Sequence, residues 1–570
     1  MPLRLTTVRP ALLAVLLGTA LAAPAAADLA GPYLAARIAS GLNDYTAAAG
    51  YYARLLQSDP DNLGVQESAL IADLAQADFE TAVALAAKMG APAGGSQVAA
   101  LTLVADAAQR EDFASVVKLL DDGAEPGPLV AGLARAWALA GLGQMSEATR
   151  AFDEMAKEPG VAAFAAYHKA LALASVGDYE GADQIFSGAT GQVLRASRRG
   201  VLAHAQILSQ LERDVDAVAL IDAVFGADLD PELSALRARL EAGEALPFSL
   251  IGGARDGIAE VYFTLASALS NDAPDTFTLI HARLAHYLRP DHADAILLTA
   301  AIFEKQEQYD LAIETYTLIA PDSPVFTAAA LGRAEAMVQA GRTEAAIEAL
   351  EQITRAAPDQ QGGWVALGDT LRRENRFKEA AAAYDKAIAL AGTPQPRDWF
   401  VWYARAIAQE RSDQWDKAEP GFRKALELSP DQPAVLNYLG YSYVEKGANL
   451  DEALDMIQRA VLARPDSGYI VDSLGWALYR LGRYEEAAVQ MEHAVELEAV
   501  DPLVNDHLGD VYWAVGRKRE AEFQWRRALS FGPGDDLDME RVRRKLEVGL
   551  DQVLKEEGAP PLKAKGDAGN

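Results

Sequence analysis

Apolar side chains recur along most of this chain at steps of three and four residues, which puts them on one face of a helix. The helical runs come in pairs, joined by short turns that hold glycine or charged residues. Three consecutive stretches spell one pattern: "YLGYSYVEKGANLDEALDMIQRAVLARP" (438–465), "SLGWALYRLGRYEEAAVQMEHAVELEA" (473–499) and "HLGDVYWAVGRKREAEFQWRRALSFGP" (507–533). A fourth copy, "WVALGDTLRRENRFKEAAAAYDKAIAL", begins at Trp364. One small residue marks the second helix of each copy, at Ala312, Ala346, Ala380, Ala418, Ala453, Ala487 and Ala521. The steps between these are 34, 34, 38, 35, 34 and 34 residues. The longest step holds the inserted loop "GTPQPR" before Asp398. Weaker copies put Ala48, Ala82, Val116, Ala148, Ala182, Ala217 and Thr278 in the same slot, which predicts about fourteen helical hairpins.

In "SLGWALYRLGRYEEA" the physical content of the pattern is close packing. Gly475 admits the second helix, Gly482 ends the first, and Ala487 is the second point of contact. Leu474, Leu478, Tyr484 and Met491 then fill the space between helices and between neighbouring repeats.

The framework of Trp364, Leu367, Gly368, Ala380, Tyr384 and Ala387 resembles the tetratricopeptide repeat (TPR). That resemblance implies an all-α fold, a right-handed solenoid of helical hairpins (an α-α superhelix) with the first helix of each hairpin lining the concave side. The period breaks over 233–258, where "ALPFSLIGGARDG" lacks a helical rhythm. The expected organisation is therefore a divergent N-terminal array (28–232), an irregular connection (233–258) and a C-terminal array (259–533). A capping helix (534–556) and a disordered tail (557–570) complete it.

Charge and leader composition narrow the setting. The net charge of −30 leaves nothing basic enough to neutralise a nucleic-acid backbone. No cysteine is present, which removes disulfides, thiolate metal sites and the lipidated cysteine of a lipoprotein. Arg4 and Arg9 precede the apolar run "ALLAVLLGTALAA" and the small residues "APAAAD", the layout of a signal peptide (1–27) cleaved after Ala27. The run is too short to span a bilayer. The expected location is the periplasm, with no transmembrane segment in the mature chain.

Nothing in the sequence points to catalysis. His281, His286 and His292 are spaced by five and six residues, not as the i, i+4 ligands of a helical metal site. "GAPAGGS" (90–96) lacks the lysine of a phosphate loop and reads as a turn. No metal, cofactor or enzymatic activity is expected.

In TPR proteins, ligands contact particular first-helix positions. Carried onto this chain, those positions are Asn437 and Tyr441, then Asp472, Trp476 and Tyr479, then Asp506, Asp510 and Trp513, with Arg372, Arg373 and Tyr403 extending the surface upstream. They describe an aromatic strip edged with amide and carboxylate groups. Packing of Trp476 and Trp513 against the next repeat is the competing expectation. Asp472 and Asp506 replace the groups of a Lys/Asn carboxylate clamp. The blocks "VLNYLGYSYVEKGANLDEAL", "YIVDSLGWALYRLGRYEEA" and "VNDHLGDVYWAVGR" resemble bacterial envelope TPR proteins, a group that includes an adaptor of a periplasmic carboxyl-terminal processing protease. The resemblance implies an exported scaffold that binds envelope protein partners and presents substrates to a protease. A structural subunit of an envelope assembly or export complex, and a carbohydrate-binding or enzymatic solenoid, are the alternatives.

Overall fold

The computed structural model describes residues 27–562, apart from 189–190, 196, 227–228, 271 and 535–536. The leader expected over 1–27 lies, but for Ala27, outside the described residues, as does the tail beyond 562. Every regular element described is a helix, and the helices form fourteen hairpins, from Ala27–Gly41 with Tyr45–Ser58 to Pro502–Ala514 with Lys518–Phe531. None of the described helices is long and apolar enough to cross a membrane.

Several helix starts and stops have a visible local cause. Side chains of Asp78, Ser96, Asp112 and Asp501 accept hydrogen bonds from the third backbone N–H of the helices they precede. The turns inside hairpins pass through left-handed backbone, as at Gly482 (φ 79°), where Arg483 N–H donates to the Leu478 carbonyl at 2.9 Å. Ala77, Glu111 and Glu307 hold the same conformation without being glycine.

The small-residue slot is buried in every hairpin. All fourteen positions, from Ala48 to Ala521, lie on second helices and none is more than 1% exposed. Opposite them, glycines of the first helices sit under large side chains of the second. A Cβ on Gly475 would lie 2.7 Å from Met491 Cγ, one on Gly368 2.7 Å from Tyr384 Cε1, and one on Gly509 2.4 Å from Trp525 Nε1.

The chain divides into two compact units, Met1–Ala349 and Leu350–Asn570, within helix Thr343–Ala356. The break expected over 233–258 is not that division. Pro231–Glu241 and Ala254–Leu269 are helices, and only 242–253 between them is irregular. This loop is packed, because Leu246, Leu250 and Ile251 are buried and Leu246 N–H donates to Ser209 Oγ at 2.9 Å.

In the first unit the hairpin Ala254–Leu269/Asp275–Leu288 packs onto the first helices Leu63–Ala75, Gln97–Gln109, Pro128–Gly141 and Ala162–Ser175. Gly257 lies directly under the indole of Trp137, where a Cβ would sit 2.2 Å from a ring carbon. Tyr262 donates to the Leu101 carbonyl at 2.8 Å, and Arg283 to the Ala75 carbonyl at 2.9 Å. The inner surface of this array is thus occupied by its own chain. Glu260 fixes the arrangement: it is fully buried, accepts from Tyr167 at 2.8 Å and pairs with Arg199, which also pairs with Asp294. Burial alone would raise the Glu260 pKa, but Arg199 and His292 hold it well below the usual carboxylate range.

The second unit runs from helix Gln361–Arg373 to Lys518–Phe531 and ends in two short helices, Met539–Val548 and Leu550–Glu556, broken at Gly549 (φ 82°). These replace the single capping helix expected over 534–556. The chain stays anchored beyond them, since Glu557 pairs with Arg541 at 2.7 Å and Leu562 packs on the core.

Two substitutions test this packing. Gly509→Ala should destabilise the second unit by about 2 kcal/mol in denaturant titration, whereas Gly475→Ala should cost less, because Met491 can yield and the hydrogen-bonded Trp525 cannot. Ala77→Gly should stabilise the first unit by about 0.5–1 kcal/mol, by relieving a left-handed backbone that alanine tolerates poorly.

Candidate partner-binding groove

The 34-residue step decides which side chains share a wall. Asn437, Asp472 and Asp506 hold one position on three successive first helices, Pro433–Lys446, Gly468–Arg480 and Pro502–Ala514. Tyr441, Trp476 and Asp510 hold the position one turn further along. Between these helices opens a cleft of about 530 Å³. Asn437, Tyr441, Asp472, Trp476 and Asp506 line it, as expected. Glu410, Arg411, Tyr438, Glu445, Lys446, Tyr469, His507 and Arg541 line it too, and were not anticipated.

Asn437 is half-buried, and its Oδ1 has no hydrogen-bond donor among the described residues. Trp476 is partly exposed; its indole N–H donates to Glu445 Oε1 at 2.5 Å. Its ring stacks on His507 at 4.1 Å and on Tyr479 at 4.8 Å. Tyr438 donates to Glu410 at 3.2 Å, and burial pushes the Tyr438 hydroxyl above its ordinary range. The open part of the groove therefore presents aromatic faces among carboxylates whose positions are held by hydrogen bonds.

Its far end is closed. Asp506 and Asp510 are buried and receive Lys545 Nζ at 2.8 and 2.6 Å, and Trp525 N–H also donates to Asp510 at 2.9 Å. Tyr479 is buried as well. Trp513 donates to Asp551 at 2.9 Å and lies against Gly549. Asp506, Asp510 and Trp513, expected on an open strip, are bonded to the two C-terminal helices, and Tyr479, expected there too, packs against Trp476 and Tyr484. For Trp513 the packing expectation describes what is observed; Trp476 does both, stacking on its neighbours and facing the cleft. Upstream, Arg372, Arg373 and Tyr403 do not line the cleft. Arg372 donates to the Tyr384 hydroxyl at 3.3 Å, Arg373 is exposed, and Tyr403 packs edge-on against Tyr438 at 6.0 Å. Burial pushes the Tyr403 hydroxyl up to about 12.

His507 links the open and closed parts. Its Nδ1 donates to Asp472 at 3.0 Å. Burial would lower the imidazole pKa, but Asp472, backed by the Asp506 and Asp510 charges, raises it above the ordinary value. Desolvation raises the Asp506 pKa despite Lys545. The signal that could have found His507 is register, since it follows Asp506 directly. Arg541 and Lys545 stand four apart on one helical face, but that spacing does not point to the aspartates they reach. Among the described residues no group of three His, Asp or Glu side chains is placed to hold a metal ion. His281 instead bonds the Phe277 carbonyl at 2.8 Å, and His292 caps its own helix.

Residues 331–395, 403–468 and 445–502 match the tetratricopeptide repeat family model. A TPR repeat-containing protein of Pseudomonas aeruginosa is 26% identical over 208 residues, 36% of this chain and 34% of that protein. The cytochrome c-type biogenesis protein CycH of Rhizobium meliloti is 32% identical over 108 residues, 19% of this chain and 28% of that protein. This chain thus spans about a third of the length of the first relative and little more than a quarter of the second. Among solved structures, the APC/C hetero-tetramer Cut9-Hcn1 is similar at 14% identity and a TM-score of 0.38, covering 91% of this chain and 95% of the other. YrrB, described as a TPR protein with an unusual peptide-binding site, is 20% identical with a TM-score of 0.27, covering 33% and 95%.

The His507 contact has a measurable sign. A raised imidazole pKa contributes stability that is fully present below about 6.5, the unfolded value, and is lost as pH rises through the folded value. Asp472→Asn should therefore lower the His507 pKa in a histidine-selective NMR titration. His507→Gln should flatten the fall in urea midpoint of the second unit over the same pH range.

Proposed function

We propose that this tetratricopeptide-repeat protein is a non-catalytic, exported adaptor that holds protein partners in the groove of its second unit. Repeat scaffolds of this kind mediate protein interactions, and the groove supplies the chemistry for one. The observation that carries the reading is the open cleft between Asn437 and Trp476, lined by tyrosine, tryptophan and histidine rings among the carboxylates of Glu410 and Glu445. A polypeptide suits this lining, since its N–H groups can donate to Glu410 and Glu445 and its side chains can cover Tyr441 and Trp476.

Export and an envelope setting rest on the leader-like sequence of 1–27, the likeness of 433–533 to bacterial envelope TPR proteins, and the partial match to a cytochrome c biogenesis protein. Presentation of substrates to an envelope protease follows from the same likeness. The inner face of the first unit, filled by its own hairpin, is left out of this role.

The test is a crosslinked pull-down from a periplasmic extract of the native host. The full chain is compared with an Asn437→Ala, Tyr441→Ala variant of unchanged helical circular dichroism. The variant should bind the captured partner at least tenfold more weakly, each truncation costing about 1–2 kcal/mol. Equal capture by both chains would remove the groove from the function. A partner recovered in fixed stoichiometry and without exchange would identify a structural subunit instead.

A further inference from the structure

The helix Met539–Val548 is basic on the face it turns to the groove. Lys545 is fully buried there, its Nζ 2.8 and 2.9 Å from the two Asp506 oxygens and 2.6 Å from Asp510. Four residues earlier Arg541 reaches Asp510 at 3.5 Å and Glu557 at 2.7 Å. Asp506 and Asp510 hold the register positions that Asn437 and Tyr441 hold two hairpins upstream, where the groove is open. A lysine on a basic helix is therefore already seated in the row of positions that the proposed partner would contact.

The helix is held by both ionic and apolar contacts: Val542 and Lys545 are buried, Leu546 packs on the same core, and Arg541, Arg543 and Arg544 pair with Glu557, Glu540 and Glu556 of the C-terminal segment itself. With Lys545 gone, Asp506 and Asp510 would be two adjacent buried carboxylates with His507 and Arg541 as the remaining nearby cations. Such a pair demands a replacement cation rather than an empty site.

We propose that the end of the groove is a recognition socket for a lysine borne on a basic amphipathic helix of a protein partner. The chain's own Met539–Val548 helix is its resident occupant, which such a partner displaces. This rests on the partner-binding reading of the groove given above, and it names the class of partner.

The probe is a fluorescent peptide of residues 538–558, titrated against the full-length chain and followed by anisotropy. The Lys545→Ala chain should bind it roughly tenfold more tightly than the wild type, because the covalently attached competitor is weakened. Adding Asp506→Asn and Asp510→Asn should abolish that gain, as should replacing the peptide's own Lys545 by alanine. Binding that is absent from both chains, or indifferent to the two aspartates, overturns the proposal. If Lys545→Ala fails to fold, hydrogen exchange on the wild type decides. Amides of 539–556 should exchange at least tenfold faster than those of Pro502–Ala514, and equal rates would make the helix part of the core. A captured partner that needs Asn437 and Tyr441 but is not competed by the peptide sinks the socket alone and leaves the groove reading standing.

Discussion

Everything in this protein rests on how closely the two helices of a hairpin can approach. Fourteen small or β-branched side chains hold that contact, and glycines such as Gly368, Gly475 and Gly509 let the opposite helix come down onto an aromatic ring or a methionine. Interiors pack as densely as organic crystals, so the spacing tolerates little variation. Because the spacing repeats, the first helices of consecutive hairpins stay in register. A wall that carries Asn437, Asp472 and Asp506 is then a by-product of core packing. No separate scaffold is needed to aim these groups.

A stack of hairpins built this way leaves an inner surface of polar and aromatic groups, and the two units deal with it differently. The first fills it with a hairpin whose glycine lies under Trp137 and whose Glu260 is neutralised by Arg199. The second covers one end with a basic helix and leaves the rest open. In both, a buried charge is matched by a partner from a distant part of the sequence, as burial of ionic groups requires. The carboxylates of the second unit are thus not uniformly ligand-facing: Glu410 and Glu445 edge the open cleft, whereas Asp506 and Asp510 hold the cover.

The hairpins were legible because their determinants are local. The 34-residue step located all fourteen close-contact slots, including Val116 and Thr278, where the residue type departs from alanine. Register likewise brought Asn437, Tyr441, Asp472 and Trp476 to one wall. Contacts between distant segments left no such trace. Gly257 looks like any glycine until it is placed under Trp137, and nothing near Asp506 announces a lysine 39 residues later. Tyr479, Asp510 and Trp513 were expected on open surface for that reason. The repeat pattern says which face a residue is on, but not whether another part of the chain lies over that face. The loop at 242–253 misled in the opposite direction. Its broken rhythm suggested a boundary, while its three buried apolar side chains tie it into the first unit.

The hairpin lodged inside the first unit changes how that unit can come apart. Repeat arrays ordinarily melt from their ends, since each repeat touches only its neighbours. Here Arg283 bonds the Ala75 carbonyl across 208 residues of sequence, and Tyr45 bonds Gln306 across 261. Closing loops of that length is slow, and the contacts reward folding only once nearly the whole unit is present. The early hairpins of a growing chain must therefore wait, with their inner faces uncovered, for residues near 260 and 280 to arrive. The first unit has exchanged the piecewise folding of a solenoid for the all-or-none behaviour of a globular domain.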